Sequence, residues 1–225
     1  MNLLLIPGFM LDADLWTDIR PALEAATRIQ EADTTSDTSI QKIAERAVEA
    51  LNDPTFVLGF SMGGYVAREI AYQAPQRVKG LILVATSARS SGQPSTSRQQ
   101  TPVDELAFRR LSRAAVSRSL HPGHQTDKII GRVQDMSERL GPDVFVRQSR
   151  LNRAGDAQRL GEIRCPTLIV AAAQDRLRSL EESRELQTGI AGSSLEIIEE
   201  SGHLVPLERP DQLARLVIAF CQAHD

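Results

Sequence analysis

The sequence predicts an α/β fold: a mostly parallel sheet of about six strands flanked by helices, with a helical insertion. Three observations carry this prediction. Short apolar runs alternate with amphipathic, helix-like segments along most of the chain. The runs are apolar at consecutive positions, as strands buried on both faces are. Residues 88–160 break the alternation and offer no strand of their own.

The elements follow in order. "LLLI" at residues 3–6 is the first strand, and "ADLWTDIRPALEAA" is helical around Trp16. "TRIQEAD", residues 27–33, is a modest second strand. "SIQKIAERAVEALND" puts Ile40, Ile43, Ala44, Ala47, Val48 and Leu51 on one helical face. Ser39 is placed to cap it and Pro54 to end it. "TFVLGF" is the third strand, followed by the helix "MGGYVAREIAYQAP", stopped by Pro75. "VKGLILVAT" is the fourth strand, "PTLIVAAAQ" the fifth and "SLEIIEE" the sixth. "SLEESRELQTGI" is helical between the last two, and the helix "PDQLARLVIAFCQA" closes the chain.

The insertion opens with the polar stretch "SARSSGQPSTSRQQTP". Helical patterns follow at residues 103–120, 127–140 and 142–152. So long a connection favours a helical cap over a structureless loop. The expected organisation is a core of residues 1–87 and 161–225 with a cap of residues 88–160. The cap carries 13 basic and 7 acidic residues, against a whole-chain net charge of −3. Two readings fit that contrast: a solvated helical surface, or a surface attracting an anionic substrate or an acidic carrier protein.

Composition narrows the classes. A chain of 225 residues, 41% hydrophobic, can bury one ordinary core. Its weak net charge makes no case for nucleic acid or an anionic membrane. No apolar run reaches the roughly 18 residues of a membrane span. "MNLLLIPGF" lacks the basic flank of a signal peptide, so a cytoplasmic protein is expected. Cys165 and Cys221 form no CxxC pair and are expected to be free, packed thiols. Two distant cysteines do not make a structural zinc site, so no metal is expected.

Chemistry concentrates at "LGFSMGGYVA". Gly59-Phe60-Ser61-Met62-Gly63 fits G-x-S-x-G between a strand and a helix. A sharp turn there holds the serine in a strained conformation, and small residues two before and two after let the backbones approach. The hydroxyl would project above the sheet near a helix N-terminus, where negative charge is favoured.

A serine hydroxyl needs a base, and that base needs an orienting acid. His203, in "EESGHLVPLERP", follows the last strand and opens onto the same edge. His121 and His124 lie in the insertion, and His224 lies at the C-terminus. Asp175 directly follows the strand "PTLIVAAA". An oxyanion hole needs two N–H groups. Met62 N–H follows the nucleophile, and Gly8 would let Phe9 N–H turn inward.

These segments resemble the α/β-hydrolase superfamily over nearly the whole chain. "LLLIPGF" is similar to its first-strand motif, with Pro7 in place of the usual histidine. "GFSMGGYVAREIAYQAPQRVKGLILVATSAR" resembles the nucleophile block, "IRCPTLIVAAAQDRL" the acid strand and "IIEESGHLVPLERPDQLARLVIAF" the histidine block. The order Ser61, Asp175, His203 is that of the family. The chain starts at what would be the third strand, so about six strands are expected, not eight. The resemblance is closest to small bacterial serine hydrolases with helical caps.

What the resemblance implies is a Ser-His-Asp hydrolase of a small ester or related carbonyl substrate, needing no cofactor. Cleavage of a carbon–carbon bond, lyase chemistry, or ligand binding without turnover are the alternatives. Phe9, Met10, Phe60, Met62, Leu106, Phe108, Leu111 and Met136 are candidate pocket walls. Arg147 and Arg150 are candidates for holding a substrate carboxylate.

Overall fold

A computed structural model of the chain describes residues 1–90 and 108–225. Strands β1 (Asn2–Ile6), β2 (Arg28–Glu31), β3 (Thr55–Phe60), β4 (Val78–Val84), β5 (Thr167–Ala172) and β6 (Ser194–Ile198) form one sheet. Its order is β2-β1-β3-β4-β5-β6, and every pairing is parallel. β3 and β5 are buried at every position, which is why their sequences read as unbroken apolar runs.

Alternate strand residues feed two cores. Leu3, Leu5, Phe56, Leu58, Phe60, Ile82 and Val84 face one side. There they pack with Trp16, with Leu23 of α1 (Arg20–Glu24) and with Leu213, Val217 and Phe220 of α8 (Pro210–Ala223). Leu4, Ile6, Val57, Leu81, Leu83 and Ile169 face the other side. They meet α2 (Ile40–Glu49), α3 (Met62–Gln73) and α6 (Leu180–Gly189). Each fully buried Leu or Ile contributes about 1.5–3 kcal/mol, so the two layers dominate stability.

Caps fall where the side chains allow them. Ser39 Oγ accepts the Lys42 N–H at the start of α2. Ser179 and Glu182 form a reciprocal capping box on α6. The helical segment around Trp16 divides into a 3-10 turn, Ala13–Trp16, and the short α1. Pro21 has no N–H to continue a helix from the preceding turn, so it starts a new one. Likewise α2 stops at Glu49, ahead of Pro54.

Between β4 and β5 lie α4 (Arg113–Ser119) and α5 (Asp127–Ser149). α5 is kinked at Gly141, whose φ of 74° no ordinary helical residue adopts. Pro142 then begins its second half. Among the described residues, the expected helix over residues 103–120 is represented by α4; residues 103–107 lie outside them. A short α7 (Val205–Glu208) precedes α8.

Arg132 and Arg139 of the insertion turn toward acids of the core. Arg132 pairs with Asp14 at 3.0 Å and Asp18 at 2.5 Å. Arg139 pairs with Asp12 at 2.9 Å and Asp14 at 3.1 Å. Part of the charge contrast in the sequence is thus spent across the seam between insertion and core. A second tie is buried: Arg68 of α3 makes a two-pronged contact with Asp156, at 2.7 and 2.8 Å. Tyr72 Oη donates to the same carboxylate at 2.9 Å. Among the described residues, no helix is long and apolar enough to cross a membrane.

Candidate active site

The turn from β3 into α3 is sterically forced. Ser61 sits at φ 52°, ψ −111°. A Cβ on Gly59 would lie 2.3 Å from Gly63 O, and one on Gly63 would lie 2.2 Å from Ile6 O. Both distances exclude any side chain, which accounts for the two glycines flanking the serine. Ser61 N–H donates to Val84 O at 2.9 Å, and Thr86 Oγ1–H donates to Ser61 O at 2.7 Å. Met10, Ala85 and Glu200 also have positive φ. They lie in the turns after β1, β4 and β6, so strain of about 1–3 kcal/mol per residue collects along one edge of the sheet.

Asp175 follows β5 and His203 follows β6, bringing both side chains to that edge. His203 Nδ1 lies 2.7 Å from Asp175 Oδ2, and its Nε2 lies 2.8 Å from Ser61 Oγ. An ionised carboxylate only accepts, so Nδ1 carries the proton and Nε2 is left to accept from the hydroxyl. Asp175 Oδ1 takes the N–H groups of Leu177 at 2.7 Å and Arg178 at 3.0 Å. The carboxylate and imidazole are almost fully buried, with 1% and 7% of their side chains exposed.

The histidine loop is held by groups that no motif signalled. Glu208 Oε2 accepts from Gly202 N–H at 3.0 Å and His121 N–H at 2.8 Å. Its Oε1 accepts from Leu204 N–H at 3.0 Å, and His124 Nδ1 lies 3.1 Å from Oε2. One fully buried carboxylate therefore grips both residues beside His203 and the start of the turn after α4. The only hint in the sequence is an acid embedded in the apolar run "HLVPLE". His203 N–H itself donates to Ser119 O, at 2.7 Å, in the insertion.

Phe9 and Met62 flank the serine from two elements. β1 and β3 are neighbours, with Ile6 paired to Gly59, so the loop after β1 leaves the sheet beside the β3–α3 turn. Among the described residues, neither Phe9 N–H nor Met62 N–H donates a hydrogen bond within the protein. Met62 is the first residue of α3, where the helix dipole favours an anion.

A cavity of about 480 Å³ opens over Ser61 and His203. Of the residues read as pocket walls, Phe9, Phe60 and Leu111 line it. Met10, Met62 and Met136 are instead buried, Met62 and Met136 within the two apolar cores. Phe108 stacks on Phe145 with ring centroids 4.0 Å apart. Leu106 lies outside the described residues. Arg147 reaches away to Thr35 O, and neither it nor Arg150 is among the residues lining the cavity. Arg153 and Arg178, which carried no sequence signal, do line it.

A parallel sheet with a strained serine at the β3–α3 turn defines an α/β hydrolase. Residues 3–216 match the Alpha/beta hydrolase family, and the chain belongs to it. A monoacylglycerol lipase from Bos taurus is 25% identical over 254 residues, covering 97% of this chain and 74% of its own. A pimeloyl-(acyl-carrier protein) methyl ester esterase from Neisseria meningitidis is 24% identical over 242 residues, covering 97% and 92%. The solved enol-lactonase from Burkholderia xenovorans shares the fold, with a TM-score of 0.82 at 17% identity over 98% of this chain and 91% of its own.

Proposed function

We propose that this chain is a serine hydrolase of small carboxylic esters, acting through Ser61, His203 and Asp175 and an acyl-enzyme. The observation that carries the reading is one imidazole bonded at 2.8 Å to Ser61 Oγ and at 2.7 Å to Asp175 Oδ2.

The steps follow from those bonds. Ser61 Oγ attacks the ester carbonyl while His203 Nε2 takes its proton. Asp175 keeps the other proton on Nδ1 and stabilises the imidazolium. Phe9 N–H and Met62 N–H receive the oxyanion. The imidazolium gives its proton to the departing alkoxide, breaking the ester C–O bond. A water then loses a proton to His203 and attacks the acyl carbonyl, freeing the acid and restoring Ser61. No step calls for a cofactor.

The helices of residues 88–160 act as the cap, over a core of residues 1–87 and 161–225. The two relatives named for ester cleavage support an ester substrate, and one of them supports an acyl group delivered on a carrier protein. The free thiols Cys165 and Cys221 fit a reducing, cytoplasmic setting.

The test is labelling by a fluorophosphonate probe, mapped by mass spectrometry, with a panel of p-nitrophenyl esters. Labelling at Ser61 and ester turnover abolished by Ser61→Ala are expected. Turnover confined to vinylogous diketones would move the assignment to carbon–carbon bond cleavage. Ligand binding without labelling would make the chain a receptor.

A further inference from the structure

His124 stands in the turn after α4, and the chemistry proposed above makes no use of it. It does not line the cavity over Ser61. Its ring is partly exposed, yet its Nδ1 lies 3.1 Å from Oε2 of the fully buried Glu208 carboxylate. The backbone on either side of that ring is fixed. His124 N–H donates to His121 O at 2.9 Å, and His124 O accepts from Thr126 N–H at 2.7 Å.

Four groups converge on the Glu208 carboxylate. Three are backbone N–H groups: those of Gly202 and Leu204, on either side of His203, and that of His121. The fourth is His124 Nδ1. Both carboxylate oxygens already accept backbone N–H groups, so Glu208 meets the ring as an acceptor and Nδ1 carries the proton. His124 is thus the one side chain in the set. It is also the one donor of the four that can bring a positive charge to a carboxylate taken out of water. An opposite charge there offsets part of the desolvation cost.

Resting on the triad reading above, we propose that His124 is a positioning residue for the general base. Its N–H fixes Glu208 Oε2. The Glu208 oxygens fix Gly202 and Leu204, and these hold His203 Nε2 at 2.8 Å from Ser61 Oγ. His124 acts through Glu208 and not on the reacting atoms.

The experiment compares His124→Phe, His124→Ala and His124→Asn with the wild type on p-nitrophenyl butyrate, at a temperature where circular dichroism shows the chains folded. Phenylalanine keeps a ring without a donor, and asparagine places an NH₂ near the position of Nδ1. His124→Phe and His124→Ala are each expected to lower kcat about tenfold with KM within about twofold, as a small displacement of a catalytic group does. His124→Asn should recover most of the rate. Should one donor-free variant fail to fold, the other decides. A kcat within about twofold of wild type in either donor-free variant, a loss in His124→Asn as deep as in His124→Phe, or a loss confined to KM overturns the proposal. Each of these leaves the esterase reading in place. If the wild type turns over no ester, the esterase reading fails, and nitrogen NMR of the His203 ring still judges His124. A ring held as the Nδ1–H tautomer in the wild type, mixed in His124→Phe and restored in His124→Asn, supports the proposal. A tautomer unmoved by His124→Phe overturns it.

Discussion

Gln148 Oε1 accepts the Met10 N–H at 2.8 Å, joining the insertion to the loop after β1. Gln148 is fully buried and its Nε2 donates to Thr34 O at 3.1 Å. Met10 is held at φ 55°, directly after Phe9, the proposed oxyanion donor. Loss of this anchor should let Phe9 N–H drift. Gln148→Ala is expected to lower kcat about 10- to 100-fold, the scale of a 1 Å misplacement. Gln148→Glu keeps the acceptor and should retain more. A lowered melting temperature with kcat intact would show the contact to be structural only.

The serine and the imidazole should act as one unit. Ser61→Ala and His203→Ala are each expected to lower kcat about 10⁶-fold, and the double variant no further. Single-turnover ester kinetics on the three proteins measure this. Losses that multiply would mean that the two groups work independently.

Glu208 should matter more than its distance from the chemistry suggests. Glu208→Gln turns an NH₂ toward backbone donors that now point at a carboxylate. A cost of at least about 3 kcal/mol in urea unfolding is expected, the scale of a broken buried charged network. A fall in kcat should accompany it at temperatures where the protein stays folded. Stability within 1 kcal/mol of wild type would show that the loop does not depend on this side chain.

The seam between insertion and core should weaken in acid. Burial tends to raise the Asp14 carboxyl, but the charge of Arg132 and hydrogen bonds from Thr17, Arg139 and Arg132 outweigh it and hold it below 3.8. A depressed carboxyl contributes stability above its unfolded value and loses it as pH falls through the folded one. Asp14→Asn is therefore expected to cost up to about 1 kcal/mol at pH 7, discounted for its exposure. The gap to wild type should shrink in strong acid, at about pH 2, because the contribution is lost as pH falls through the depressed folded value. Urea titrations at the two pH values measure it, and an equal gap at both would discount the pairing.

The legible parts of this protein are those governed by short-range physics. β3 and β5 show in the sequence because full burial demands unbroken apolar runs. The break in α5 shows because Gly141-Pro142 cannot continue a helix. Gly59, Ser61 and Gly63 show because a strained turn leaves room for nothing larger. The cavity does not show. Its walls come from segments far apart in the chain, so Met136 and Leu111 look alike in sequence, yet one is buried in the packing and the other lines the opening. Gln148 and Glu208 act through a few contacts between distant segments, and Arg153 lines the cavity, and none of this leaves periodicity behind. The charge contrast was visible, but not its use: Arg132 and Arg139 face acids more than 100 residues away.

Ser119 O, at the end of α4, receives the His203 N–H, and a Cβ on Gly202 would lie 2.4 Å from His121 N. The proposed cap thus also supplies an acceptor to the backbone of the proposed general base. Grafting another relative's helices between β4 and β5 would remove that acceptor along with the old specificity. An engineer who exchanges this module must carry residues 119–124 across with the core, or rebuild the support for the base.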